Sequence, residues 1–113
     1  MLGDFVIVRS RDQGVVCGYL KTLVPQPGGL FAAELTEARQ VHWWSGANTL
    51  FEMSLRGANE MRLSEPVELV LVAGVCGVLP CKPEAEANLR TSRWGTSYAD
   101  SASTPPPKHK RGG

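Results

Sequence analysis

The stretch FVIVRSRDQGVVCGYLKTLV, residues 5–24, decides the fold class. Residues 5–8 are aromatic and β-branched, and residues 15–24 return to a β-rich composition after a polar segment. Gly14 supplies the backbone freedom that the turn between the two runs requires. The pattern therefore predicts two antiparallel strands joined as a hairpin. Gly18, inside the second strand, indicates a bulge or a close backbone approach.

The sequence after the hairpin predicts further strands of a mostly antiparallel sheet. The segment PQPGG at 25–29 is typical of a turn, and residues 38–44 favour a strand because valine and tryptophan suit a pleated surface. The residues between them fit either a strand or a helix. The β-rich run 67–79 predicts a long strand that bends at Gly74 and Gly77. The longest apolar run, residues 69–79, is too short to cross a bilayer as a helix, which takes about 20 residues.

Two short helices are predicted to pack on this sheet. Asn48 is a favourable N-cap for a helix over residues 49–56. Pro83 suits the first position of a second helix, whose acidic first turn and basic last turn, with Arg90 and Arg93, complement the helix dipole. The expected fold class is α+β: a mostly antiparallel sheet with two short helices packed on it, in a single domain.

Composition divides the chain into a compact domain, residues 1–94, and a C-terminal tail, residues 95–113. The tail is rich in Gly, Ser and Pro and carries Lys108, Lys110 and Arg111, so it is predicted to be disordered and basic. The whole chain has a formal net charge of +1. Because the tail holds more basic than acidic residues, the domain itself is slightly acidic. Any anion site on the domain must therefore come from arginines that converge locally.

The chain contains few groups suited to catalysis or metal binding. Its cysteines, Cys17, Cys76 and Cys81, form no C-x-x-C pair, which argues against a zinc site or a disulfide framework. His42, beside two tryptophans in a strand, is expected to be structural. No Ser or Cys lies in a recognisable nucleophile motif, and neither a Walker loop nor G-x-G-x-x-G occurs. We therefore expect a protein that is not an enzyme and that uses no metal and no cofactor.

The start of the chain lacks the basic residues and the apolar stretch of a signal peptide. Together with the reduced cysteines, this favours a cytoplasmic protein without membrane association.

Arginines on different elements are the candidate binding residues. Guanidinium groups recognise phosphates through paired hydrogen bonds and stack on aromatic rings. The candidates lie along the predicted strands and the last helix: Arg9, Arg39, Arg62, Arg90 and Arg93. They can converge only if the fold or an oligomer brings them together, and the alternative is a scatter of solvated side chains.

The pair Trp43 and Trp44 places two rings on opposite faces of a strand. One ring is expected in the core. The other requires cover from a helix, a partner subunit or a ligand, and a flat ring can stack a nucleobase with about 1–3 kcal/mol. Trp44 therefore joins the candidate ligand-binding residues, with a role in the core and a subunit interface as the alternative.

Several short motifs occur in an order and spacing that resemble a family of small tailed-phage and prophage proteins. They are VIVR at 6–9, GV at 14–15, AR at 38–39, WSGA at 44–47, LPC at 79–81 and NL at 88–89. Within that group the chain is similar to the type 1 Thoeris anti-defence sponges, oligomers that sequester cyclic ADP-ribose-type immune signals without cleaving them. The resemblance covers about residues 4–94 and spares the tail.

The resemblance implies roles for individual residues. Arg39 and Arg90 would clasp phosphates, Asn88 would join the ligand-binding residues, and Arg9 would be a candidate for a second nucleotide site. The sequence departs from the family pattern at Gln40, at His42 and in the loop near Pro27, which changes the expected shape of the pocket.

The expected function is that of a phage-encoded, non-catalytic binder. It would sequester a small cyclic nucleotide, such as a cyclic ADP-ribose isomer or a cyclic dinucleotide, as a homo-oligomer in the cytoplasm of the infected host. One alternative is a virion structural, decoration or assembly protein, which would be found in the virion. A nucleic-acid-binding module is the further alternative, and the near-neutral charge disfavours it because duplex binding depends on phosphate neutralisation.

Overall fold

A computed structural model describes residues 1–93 as five antiparallel strands and two short helices. The strands are β1 Phe5–Ser10, β2 Gly14–Pro25, β3 Phe31–Ser45, β4 Glu60–Leu63 and β5 Val67–Pro80. The helices are α1 Leu50–Arg56 and α2 Pro83–Thr91. The predicted α+β class, an antiparallel sheet that carries two short helices, is confirmed. The predicted tail, residues 95–113, lies outside the described residues.

The sheet closes on itself because its long strands pair with different neighbours along their length. The hydrogen-bonded order is β2-β1-β5-β3-β4, and β2 also pairs with β3. Strand β3 uses its first half to pair with β5 and its last residues to pair with β4. Strands β1, β2, β3 and β5 therefore form a ring, and β4 extends β3 on its outside.

Closure of the sheet explains why β1 is apolar on both faces. Val6 and Val8 belong to the cluster inside the ring, whereas Phe5 and Ile7 belong to a second cluster on the outer face. The helices complete this outer cluster with buried residues such as Leu89. Helices α1 and α2 thus pack on the part of the outer face that this cluster occupies.

Strands β2 and β3 approach each other closely at Gly18. A Cβ at this position would lie 2.9 Å from the backbone oxygen of Thr36, so only glycine fits without displacing the neighbouring strand. The pairing register shifts between Cys17 and Tyr19, and Glu37 on the opposite strand adopts a φ of 49°. The close approach predicted at Gly18 is confirmed. The pairing with β2 around this point also keeps β3 a single strand through the segment whose sequence fitted either a strand or a helix.

The helix boundaries correct two predictions. Thr49, not Asn48, caps α1: its hydroxyl accepts a hydrogen bond from the backbone N–H of Glu52 at 3.3 Å. Asn48 instead donates its backbone N–H to the Glu52 carboxylate at 2.9 Å, one residue before the N–H that a capping box uses. Helix α2 ends at Thr91 because the backbone becomes extended there, so Arg93 lies beyond the helix and not in its last turn. Neither helix among residues 1–93 is long and apolar enough to span a membrane.

Candidate functional site

Arg39 lies in the interior of the fold. Its side chain is 6% exposed, beneath the C-terminal end of α2. Its Nη1 donates to the carbonyl oxygens of Leu89, at 3.0 Å, and Arg90, at 3.2 Å, and its Nε donates to the carbonyl oxygen of Ser64 at 2.9 Å. Carbonyls at a helix end lack partners within the helix, and a positive charge there complements the helix dipole. Arg39 therefore fastens α2 to β3 and to the segment that follows β4.

Arg90 lies on the exposed side of α2 and interacts with acidic and aromatic neighbours. Its Nη2 donates to the Glu37 carboxylate at 3.2 Å, and its guanidinium carbon lies 5.6 Å from the centre of the Tyr19 ring. The Tyr19 hydroxyl donates to Glu86 at 2.6 Å, and this hydrogen bond is the main cause of the raised pKa of Tyr19. The fold thus brings Arg39 and Arg90 to the C-terminal end of α2. The hydrogen bonds named above link both guanidinium groups to other residues of the same chain. A phosphate site built from these two arginines stays a prediction.

Asn88 joins the two helices. Its Nδ2 donates to the carbonyl oxygen of Ala58 at 3.0 Å, and its Oδ1 accepts from the Ala58 backbone N–H at 3.1 Å. Gly57, the C-cap of α1, has a φ of 84°, and a Cβ at that position would overlap the Asn88 side chain. The Asn88 side chain therefore forms a donor–acceptor pair of hydrogen bonds with the Ala58 backbone, as a residue of a neighbouring strand would.

The other two predicted arginines lie on separate parts of the surface. Arg62 is half-buried in β4 and is paired with Trp43 of β3. Arg93 is exposed after the end of α2. Their ligand-binding roles stay predictions.

A groove of about 990 Å³ lies between β1, β5 and the start of α1. Ligand pockets in proteins typically have volumes of about 300–1,000 Å³. The groove brings together two of the predicted binding residues, Arg9 and Trp44. The remaining described lining residues come from the β1–β2 turn, α1 and β5: Ser10, Arg11, Gly14, Val15, Thr49, Leu50, Phe51, Cys76, Gly77, Val78 and Leu79.

The charge of the groove comes from two arginines with different surroundings. Arg9 is exposed at the end of β1 and is paired with Gly77 of β5, where no side chain competes for the space. Within residues 1–93, no hydrogen bond or ion pair engages the Arg9 guanidinium. Arg11, by contrast, binds the Asp12 carboxylate at 3.0 Å, and this hydrogen bond raises the pKa of Arg11 and lowers that of Asp12. Of the two arginines in the groove, Arg9 is therefore the one that can bind an anion without first breaking an ion pair with a carboxylate.

Aromatic side chains line the same groove as Arg9. Trp44 is half-buried and packs against the outer cluster, whereas Trp43 is exposed. That the two rings lie on opposite faces of β3 stays a prediction. Phe51 of α1 is 72% exposed at the rim of the groove. Both Trp44 and Phe51 offer surfaces on which a planar base can stack.

Phe51 is a candidate binding residue that sequence reasoning missed. It is four residues before Leu55, and both are exposed on the side of α1 opposite the buried Met53. A helical wheel of this short segment contains that signal, because two large apolar residues fall together on a face that does not meet the core.

The described lining of the groove contains one thiol, that of Cys76. Its Sγ donates to the carbonyl oxygen of Arg9 at 3.4 Å. No histidine or carboxylate is found among the described lining residues to take a proton from this thiol. Elsewhere, burial raises the pKa of Cys17 and Cys81 to about 12, so both remain protonated near neutral pH. Among residues 1–93, no group of three potential metal-binding side chains is found.

These features define a small closed-sheet protein with a groove lined by an arginine and by aromatic rings. Residues 3–89 match the family model of a domain of unknown function, DUF6948. Since the match covers more than half of the 113 residues, the chain belongs to this family. No curated protein and no solved structure matched the chain. The matched span includes Arg9, Trp44 and every strand of the sheet, so the groove lies within the part of the chain that the family model covers.

Proposed function

We propose that this protein is a non-catalytic binder of a small nucleotide and that the groove between β1, β5 and α1 is its pocket. The observation that carries the proposal is that Arg9 and Trp44 line one groove of about 990 Å³. The described lining of this groove has no carboxylate. A guanidinium binds phosphate oxygens through paired, charge-assisted hydrogen bonds. An indole or phenyl ring stacks on a base, so the groove combines the two interactions that a nucleotide requires.

The chemistry of the lining supports binding without reaction. The Cys76 thiol has no described base beside it, and Ser10 uses its hydroxyl to donate to the Ala73 carbonyl at 2.6 Å. A protein that sequesters a signal must hold it and leave it intact, so it requires complementary contacts but no general base.

The proposed ligand class is a small cyclic nucleotide, such as a cyclic ADP-ribose isomer or a cyclic dinucleotide. The Arg9 guanidinium has no described carboxylate partner, and the Arg11 guanidinium is paired with Asp12. Two such groups match a ligand with few phosphates better than a long polyanion. The motif order that resembles the phage Thoeris sponges supports an immune signal as the ligand. In that setting the protein acts as a homo-oligomer in the cytoplasm of an infected bacterium.

Isothermal titration calorimetry tests this proposal. The full chain, purified free of nucleotide as judged by its absorbance spectrum, is titrated with cyclic ADP-ribose isomers and with cyclic dinucleotides. We expect saturable binding of at least one of these probes, recovery of that probe intact by chromatography, and at least a tenfold loss of affinity in Arg9→Gln. Arg11→Gln is the matched control and should lose less affinity, because Arg11 already binds Asp12. Absence of heat with every probe would contradict the proposal.

A second candidate function is that of a virion structural, decoration or assembly protein. It is favoured by a row of exposed apolar side chains on β5, Val67, Leu69 and Leu71, which resembles an assembly surface. Quantitative mass spectrometry of purified virions distinguishes the two functions. Many copies per particle would favour assembly, and absence from particles would oppose it.

A further inference from the structure

Three apolar side chains lie exposed along the first half of β5. Val67, Leu69 and Leu71 are 47%, 48% and 61% exposed, respectively. Leu69 and Leu71 alternate with Val70 and Val72, which pack in the cluster inside the ring, so these two leucines belong to the outer face of the sheet, and Val67 lies opposite Ala38 at the start of the strand. Single exposed apolar residues are common on protein surfaces, but a continuous row on one strand marks an interaction surface.

The same part of β5 has an open edge. Strand β5 pairs with β3 from Val67 to Val75, but it pairs with β1 only from Val75 to Pro80. On the side of β1, residues 67–72 therefore have no strand partner within the described part of the chain. An apolar strand with unpaired backbone groups at its edge is a template on which another strand can pair.

Both ends of this open edge are defined by the fold. Pro66, which has no N–H to donate, precedes it. At the other end, the N–H of Ala73 donates to the side-chain oxygen of Gln13 at 2.7 Å. The N–H of the next residue, Gly74, is bound in the same way by Gln26 at 3.1 Å. Residues 67–72 are thus the segment that remains open to a further strand.

There is also space beside this edge. A groove of about 500 Å³ lies between the start of β5, at Val67 and Val70, the β1–β2 turn at Gln13 and residues 38–40 of β3, which include Arg39. It is separate from the groove that contains Arg9, since residues 67–72 contribute nothing to the described lining of that groove. A strand added at this edge would therefore leave the proposed nucleotide pocket open.

We infer that this edge is a homodimer interface, in which β5 of one copy pairs antiparallel with β5 of a second copy about a two-fold axis. A pairing centred on Leu69 sets Val67 opposite the partner's Leu71, so apolar side chains meet across the strands. The single charge of the segment, Glu68, then lies opposite the partner's Val70 and not opposite a like charge. Two-fold symmetry satisfies both open edges at once, which a strand from an unrelated protein would not do.

The oligomeric state of the full chain tests this inference. Sedimentation equilibrium is measured over a wide range of protein concentration for the wild type and for Leu69→Lys and Leu71→Lys. We expect the wild type to dimerise and each lysine variant to weaken the dimer at least tenfold, because an ammonium on the joined edge would be placed against apolar residues. Leu55→Lys is the matched control: Leu55 is 46% exposed on α1, away from the edge, and its substitution should leave the dimer unchanged.

Hydrogen exchange of the wild type provides a readout that does not depend on variant folding. Amides within residues 67–72 should lose protection on dilution, while those of β1 should not. A wild type that stays monomeric at every concentration would overturn the inference. So would a dimer that Leu69→Lys leaves intact, or one that is lost when residues 94–113 are removed while the lysine variants retain it.

Discussion

Arg39 and Arg9 occupy comparable places on two strands and have opposite surroundings. Arg39 follows the alternation of Val41, and Arg9 follows that of Ile7, so both side chains project from the outer face of the sheet. Helix α2 covers Arg39, whose hydrogen bonds go to backbone carbonyls. No described hydrogen bond engages the guanidinium of Arg9, which lies in the groove with Trp44. The same residue type on the same face thus stabilises the fold at one site and can bind a ligand at the other.

The two arginines differ in how available their guanidinium groups are, not in their positions in the sequence. A buried guanidinium that satisfies several carbonyls cannot turn to a phosphate without leaving those acceptors unpaired, at a cost of about 1–3 kcal/mol each. An exposed guanidinium loses only water and side-chain freedom when it binds an anion. Substitutions at the two sites should therefore separate stability from binding.

The largest expected effect is on stability, from Arg39→Ala. Removing this side chain leaves the buried carbonyls of Ser64 and Leu89 without their donors, so the free energy of unfolding should fall by about 3 kcal/mol or more. Urea denaturation measures this change. Arg90→Ala is the matched control and should cost less than about 1 kcal/mol, because its ion pair with Glu37 is exposed. Equal losses in the two variants would contradict the structural role of Arg39.

The next effect concerns the junction between the two helices. Asn88→Ala removes both hydrogen bonds to the Ala58 backbone, and the free energy of unfolding should fall by about 2 kcal/mol. Asn48→Ala is the control, since Asn48 makes its side-chain hydrogen bond to Glu52 at an exposed helix start. It should cost less than about 0.5 kcal/mol in the same urea titration. A smaller loss of unfolding free energy for Asn88→Ala than for Asn48→Ala would show that other contacts hold α2 in place.

Alkaline pH should weaken the fold through the buried thiol of Cys17. Burial raises its pKa from an ordinary value of 9.0 to about 12, so the folded chain holds this proton more tightly than the unfolded chain. The stabilisation is fully present below pH 9.0 and is lost as the pH rises toward the folded value, by at most ~1.4 kcal/mol per pH unit. Tyr19, whose pKa is also raised, adds to the loss at higher pH.

Urea unfolding of the wild type and Cys17→Ala at a series of pH values measures this dependence. The variant should show a shallower fall of stability above pH 9.0, and the same slope as the wild type near neutral pH. Parallel curves throughout the alkaline range would show that the Cys17 thiol does not contribute.

Local sequence signals predicted the strands well, because apolar runs and glycines act over a few residues. Residues 5–8 and Gly18 behave in the fold as their pattern indicates. The T-x-x-E spacing at 49–52 is typical of a capping box and favours Thr49 over Asn48 as the N-cap. Closure of the sheet was not predicted, since it depends on β2 and β3 pairing with different neighbours along their length.

The candidate site was predicted only in part. Arg9 and Trp44 were identified from residue type, and the fold places them in one groove. The burial of Arg39 could not be read from its spacing, because it depends on Leu89 and Arg90, which are about fifty residues further along the chain. Long-range docking of this kind leaves no periodic signal in either segment.

The most direct test of the contrast between the two arginines is a paired measurement on Arg9→Gln. Calorimetric affinity for the cyclic nucleotide that binds the wild type is compared with the free energy of unfolding in urea. Binding should weaken at least tenfold, while stability changes by less than about 0.5 kcal/mol, because the Arg9 guanidinium has no described hydrogen bond or ion pair to lose. Unchanged affinity in Arg9→Gln, or a loss of stability like that of Arg39→Ala, would contradict the account.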